Sequence, residues 1–148
     1  MPLAVLWERF LVRRLALLPE VQEVHGQRFL GHLIDAPRKA RQVVDLVVRL
    51  RTGAFLLLDA KYKAATAPSV QDLRQILVYG ALWDRKHGAP GAVGLVYPSR
   101  SDAWEVGSHG RAGWATPDEL EVFVLQVPFQ VPGRGEAPPS LLGDRATA

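Results

Sequence analysis

Leu3, Leu6, Trp7, Phe10, Leu11, Leu15 and Leu18 recur at steps of three and four residues, with Glu8, Arg9, Arg13 and Arg14 mostly between them. Residues so spaced share one helical face, which predicts an amphipathic helix ending near Pro19. Residues 21–33 are weakly patterned, with 23–29 a candidate strand, and residues 37–41 are polar and basic, as in a loop. The run VVDLVVRL at 43–50 is β-branched and apolar, the mark of a buried strand. Thr52-Gly53 is a turn signal, and residues 54–63 form a second strand, so the two are expected to pair as a hairpin. Pro68-Ser69 opens a second helix with Val70, Leu73, Ile76, Leu77, Gly80 and Ala81 on its apolar positions, ending near His87-Gly88. Residues 92–97 are a third clear strand stopped by Pro98, and 121–127 a last one. Residues 99–117 read as a loop or an irregular hairpin. The order predicts an α/β sandwich, a central mixed β-sheet flanked by helices, because a strand–helix–strand unit favours a parallel crossover.

Length and composition narrow this picture. A chain of 148 residues is one domain. We place that domain at 1–131 and expect the Pro- and Gly-rich tail, 132–148, to be disordered. There are no cysteines, which removes disulfides, thiolate zinc sites, iron–sulfur clusters and cysteine nucleophiles together. The same absence fits a reducing cytosol, so a cytoplasmic location is expected. Charged residues interrupt the apolar start, which argues against a signal peptide, and no run approaches the roughly 18 apolar residues of a membrane span. The net charge of +3 permits a polyanionic partner without establishing one.

The candidate chemistry lies on the two central strands, each of which carries one carboxylate in an apolar run, Asp45 and Asp59. Buried charges are costly unless paired or bound to a cation. Asp59 and Lys61 are two apart and project from one face of a strand. If the hairpin sets Asp45 beside Asp59, two carboxylates about 4 Å apart repel by about 4 kcal/mol at an effective dielectric near 20. A divalent cation resolves that repulsion, and oxygen ligation without Cys or clustered His points to Mg²⁺ or Mn²⁺. Lys61 would then orient or deprotonate a water, or neutralise charge on a reacting phosphate. The plain structural alternative is a strand-end ion pair between Asp59 and Lys61, with Asp45 a separate strand-start residue.

These residues resemble a known pattern. VVDLVV followed by LLLDAKYK resembles the two-strand core of the PD-(D/E)XK nuclease superfamily, with Asp45 as the first acidic residue and Asp59-Ala60-Lys61 as the second motif. Val44 stands where that family often has proline. QDLRQILVYG resembles the Gln-x-x-x-Tyr motif, here Gln75 and Tyr79, LWERF the first helix with Glu8 as a further acidic residue, and LVYPSR the strand and turn that follow. Together they resemble the nuclease domain of McrC, the cleavage subunit of McrBC-type 5-methylcytosine restriction systems, over residues 3–100. The resemblance implies a restriction-endonuclease-like fold in which Asp45, Asp59, the Ala60 carbonyl and Glu8 hold the metal. Lys61 would serve the attacking water, and Gln75 and Tyr79 would orient the lysine or touch the substrate. It also implies an AAA+ GTPase motor as a partner. The family's subunit is longer, with an N-terminal region that docks on that motor, and we expect this chain to lack it.

Weaker candidates are Lys63, which could touch a phosphate although an exposed strand end explains it equally well, and the basic loop of Arg38, Lys39 and Arg41, which could bind backbone phosphates although such a cluster is usually a solvated loop. Trp83, Trp104 and Trp114 could stack bases, with packing the simpler role. His25, His32, His87 and His109 are too scattered for a zinc set. GxxxxGK[ST], HExxH and GxSxG motifs are absent, which leaves nucleotide hydrolysis, zincin and serine-esterase chemistry without support. The expected function is thus metal-dependent endonucleolytic hydrolysis of DNA, with a homodimer or second binding event needed to cut both strands. The alternative is a nuclease-like fold kept as a catalytically inactive DNA-binding or scaffold module.

Overall fold

In the computed structural model, residues 2–32, 41–63, 67–112, 120–129 and 141 are described, with backbone only for 108–112. The element order is α1 (Leu3–Ala16), β1 (Val21–His32), β2 (Arg41–Leu50), β3 (Phe55–Ala60), α2 (Val70–His87), β4 (Ala92–Pro98), β5 (Glu105–Ala112) and β6 (Leu120–Val127). The strands form one six-stranded mixed sheet in the order β1-β2-β3-β4-β6-β5. β1, β2 and β3 form an antiparallel meander, α2 carries the chain over to parallel β4, and β6 adds parallel to β4 with β5 antiparallel on its outer edge.

Each helix covers one face of the sheet. α1 turns Trp7, Leu11 and Leu15, four residues apart, onto Leu46, Val48, Leu56, Leu58 and Phe123. Arg13 and Arg14 in its last turn complement the negative end of the helix dipole. On the opposite face, α2 turns Ile76, Tyr79, Leu82 and Trp83 onto Val44, Val47, Leu57, Val93 and Leu95. α2 begins with a capping box. Ser69 Oγ accepts from the Asp72 N–H at 3.0 Å, and the Asp72 carboxylate accepts from the Ser69 N–H at 3.4 Å. Gly94 lies beneath the Phe123 ring, where a Cβ would sit 2.5 Å from a ring atom, so the α1-side core requires glycine there.

Three expectations are sharpened in detail. β1 runs well beyond 23–29, but it is an edge strand with little burial and two register shifts, so its sequence carries no clean alternation. Within 99–117 the hairpin alternative holds. β5 pairs antiparallel with β6, with a register shift between Ser108 and Gly110. The predicted strand at 54–63 ends as sheet at Ala60, although the Lys61 N–H still donates to the Val96 carbonyl at 2.8 Å. Arg38, Lys39 and Trp114 lie outside the described residues, as does the segment 132–148 except Leu141. Leu141 is buried in the α1-side core, and its N–H donates to the Glu20 carboxylate.

Candidate active site

β2 and β3 pair through Leu46–Leu58, Val47–Leu57, Val48–Leu56 and Arg49–Phe55, and the next step along that register sets Asp45 against Asp59. The two carboxyls are close enough for each to act on the other's charge. Asp45 Oδ2 accepts from the Ala60 N–H at 2.9 Å. Local distortion assists this meeting. Val44 packs on the α2 side while Leu46 and Val48 pack on the α1 side, so side-chain alternation slips at Asp45. Across β1–β2, Gln27 sits between the pairs Gly26–Leu46 and Arg28–Val44 with φ at 53°, a left-handed conformation unusual for a residue with a side chain. Its amide donates to Glu8 Oε2 at 2.7 Å and to Asp45 Oδ1 at 3.4 Å. Gln27 thereby ties α1 to the strand carboxylates.

On the α2 side, Lys61 Nζ lies 2.7 Å from Asp59 Oδ2 and 3.5 Å from Asp72 Oδ1, and donates to Gln75 Oε1 at 3.0 Å. Gln75 Nε2 in turn donates to the Tyr79 hydroxyl at 2.8 Å. The predicted Asp45, Asp59, Ala60, Lys61, Gln75 and Tyr79 therefore meet in one chain of contacts, and Glu8 joins it beside Asp45. Lys63 is held at 3.0 Å from Asp72 Oδ2 rather than left free for a phosphate. Trp83 is a core residue.

Gln27 and Asp72 were not singled out from sequence. Asp72 left a trace there, since it stands three residues before Gln75 and so on the same helical stripe, in the Ser-x-x-Asp spacing of an N-terminal cap. Gln27 left none, because a backbone conformation and a partner 18 residues away set its role.

The electrostatics follow from burial. Asp59 is 3% exposed, and burial followed by the neighbouring Asp45 pushes its pKa up to about 7, with Lys61 only partly opposing. Burial likewise raises Asp45, against the lowering effects of Asp59 and the Ala60 N–H. For Lys61 burial favours the neutral amine, but Asp59 and Asp72 outweigh it and the pKa rises, so the group is an ammonium at neutral pH. Asp72 is buried too, yet Lys63, Lys61, the Ser69 N–H and the Tyr97 hydroxyl bring it down to about 2. Burial and the nearby Asp59 and Asp45 lift Tyr79 to about 12, which keeps it a neutral hydroxyl.

A hard divalent cation fits this arrangement. Buried Asp59, with half-buried Asp45 beside it, takes up a proton near neutrality, and Asp59 Oδ2 has no well-directed hydrogen bond, only the nearby ammonium. Among the described residues no group of three or more His, Asp or Glu side chains gathers as a metal cage. The protein would supply Asp45, Asp59 and a backbone carbonyl, and water would supply the rest, as Mg²⁺ commonly accepts.

No protein-family model matches the chain, and no curated protein matches it. Likeness is found among solved structures. A chain from the half-complex of the tetradecameric assembly of Thermococcus gammatolerans McrB AAA+ hexamers with bound McrC matches at a TM-score of 0.52 and 22% identity, over 86% of this chain and 28% of that one. At that identity the likeness is one of fold, shared with part of that McrB–McrC assembly. The chain spans little more than a quarter of that McrC-complex chain, so the likeness concerns the fold of one part. A repair endonuclease from Pyrococcus abyssi matches at a TM-score of 0.34 and 19% identity, over 51% of this chain and 30% of that one. The EndoMS–double-stranded DNA complex matches at 0.39 and 18%, over 62% and 34%. Among the described residues no helix is long and apolar enough to cross a membrane.

Proposed function

We propose that the protein is a metal-dependent deoxyribonuclease that hydrolyses phosphodiester bonds at Asp45, Asp59 and Lys61. The observation that carries this reading is a buried Asp59, set against the half-buried Asp45 of the neighbouring strand, with the Lys61 ammonium 2.7 Å from its carboxylate. The McrC-like fold supports it. Asp45, Asp59 and the Ala60 carbonyl would hold Mg²⁺ or Mn²⁺, with Glu8 reaching the ion directly or through water. Such an ion, when bound, polarises a phosphoryl oxygen and lowers the pKa of a bound water.

The chain's own groups divide the remaining work. Lys61, protonated and braced by Gln75 and Asp72, favours neutralising charge on the reacting phosphate over acting as a base. Gln75 and Tyr79 hold that ammonium on its line. Gln27 keeps Glu8 and Asp45 in register. One site cuts one strand, so cleavage of a duplex takes two copies or two binding events. An AAA+ motor is a partner consistent with the McrB–McrC assembly that the fold resembles.

Purified protein with Mg²⁺ or Mn²⁺ is expected to nick supercoiled plasmid. The Asp59→Ala and Lys61→Ala variants are expected to lose this by at least a hundredfold while keeping the wild-type circular dichroism spectrum. Unchanged nicking by Asp59→Ala would reject the assignment. Wild-type protein that binds DNA but never cuts it, with either metal or an added motor subunit, would leave the inactive scaffold reading.

A further inference from the structure

α2 carries a stripe at steps of three and four, Asp72, Gln75, Tyr79, Leu82 and Lys86. Its first half faces the carboxylates. Its second half, together with the far end of β1, encloses a separate cavity of about 340 Å³. Leu30 and Leu82 form its apolar floor, and Phe29, His32, Arg85 and Lys86 form its exposed rim.

Cations collect here on aromatic faces and not on carboxylates. The Arg41 guanidinium lies 4.8 Å and the Lys86 ammonium 5.8 Å from the centroid of Phe29, which is 41% exposed. Arg28 lies 5.0 Å from the Trp83 centroid. Among the described residues, none of Arg28, Arg41, Arg85 and Lys86 has a carboxylate partner. Gly31, at φ +139°, leaves the β1 backbone open beside Lys86, whose Nζ would lie 3.9 Å from a Cβ placed there. Gathered cations repel one another, and aromatic faces offset only part of that, so the patch favours an anion.

The chemistry and the position point to the same anion. Phe29 is two residues beyond Gln27, about 7 Å along an extended strand, and Lys86 is eleven residues beyond Gln75, about 16 Å along the helix. At about 3.4 Å per nucleotide step these offsets are roughly two to five nucleotides. We propose that this cavity is a second phosphate site, which grips the backbone of a DNA strand two to five nucleotides from the bond at Asp45 and Asp59. The anion site stands on its own geometry, whereas its offset from a cleaved bond rests on the proposed nuclease reading.

The test is duplex binding in EDTA, where cleavage cannot interfere, followed by fluorescence anisotropy across a salt series. An Arg41→Gln/Lys86→Gln double variant is expected to bind a short labelled duplex about tenfold or more weakly, with a salt slope shallower by about 2. If that variant melts below the wild type, single Arg85→Gln and Lys86→Gln changes at exposed helix positions serve in its place. Wild-type affinity and slope in the variants overturn the proposal. Variants that bind inorganic phosphate poorly but the duplex normally also overturn it, in favour of a free-phosphate site. Plasmid nicking separates the two proposals. A wild type that nicks, with variants that bind DNA normally, sinks this site alone, whereas weakened duplex binding beside an inert wild type sinks the nuclease reading alone.

Discussion

Asp59 lies in an apolar strand, between a second carboxyl that disfavours its charge and an ammonium that favours it. Burial and Asp45 prevail, and the pKa rises from 3.8 to about 7. The folded protein therefore holds a proton that the unfolded chain releases near pH 4. Asp59 contributes stability fully below about pH 4, and that contribution is lost as pH rises through about 7. Melting curves in EDTA are expected to show a falling Tm from pH 5 to pH 8. Asp59→Asn is expected to flatten the decline and to melt above the wild type at pH 8, because the amide carries no charge to bury. A wild-type Tm that rises over the same interval would contradict this origin of the shift. Asp72 shows how little composition settles at this scale. It is another buried aspartate on a neighbouring element, yet its pKa is about 2, because two lysines, a backbone N–H and a tyrosine hydroxyl surround it.

At the scale of elements, the site depends on coordinated irregularities in two adjacent strands. Alternation slips at Asp45 on β2, and Gln27 on β1 adopts a left-handed backbone opposite it. Such a conformation costs an ordinary residue about 1 kcal/mol or more relative to glycine. Gln27→Gly and Gln27→Ala both remove the amide that bridges Glu8 and Asp45, but only alanine keeps the backbone penalty. The glycine variant is expected to be more stable than the alanine variant by about 1 kcal/mol in urea unfolding, while both nick plasmid at least tenfold more slowly than the wild type. Equal stability of the two variants would show that position 27 is not held left-handed. The hydrophobic pattern revealed both helices because each buries one regular stripe, and β2, β3, β4 and β6 because burial in the middle of the sheet leaves them as dense apolar runs. β1 and β5 were less legible because they are edge strands with register shifts, where no alternation is imposed.

For the molecule as a whole, β2, β3 and β4 serve both cores at once, and α1 and α2 cannot pack without the same central strands. Metal bound at the carboxylates is therefore expected to stabilise the entire fold. At a Mg²⁺ concentration of about 100 times Kd, linkage gives about 2.7 kcal/mol, or a Tm rise of roughly 5–10 °C for a chain of this size. Differential scanning fluorimetry at pH 8 is expected to show that rise in the wild type, its reversal by EDTA, and little change in Asp59→Asn. A wild-type Tm indifferent to both Mg²⁺ and Mn²⁺ would remove the metal from the proposal while leaving the fold intact.

The sequence by itself determined the two helices, the four buried strands and the three residues at the centre of the candidate site. Those features are written in local periodicity and in charges set within apolar runs. The hairpin turn at Thr52-Gly53 then left little freedom over where Asp45 and Asp59 would meet. Tertiary structure alone decided what surrounds them. It brought Gln27 between Glu8 and Asp45, made Asp72 a second brace for Lys61, and set Phe29 and Lys86 on one cavity with Arg41 against the Phe29 ring. The physical reason is range. A period of two or 3.6 residues states which face of one element is buried, whereas a pKa or a pocket depends on which distant elements share that face.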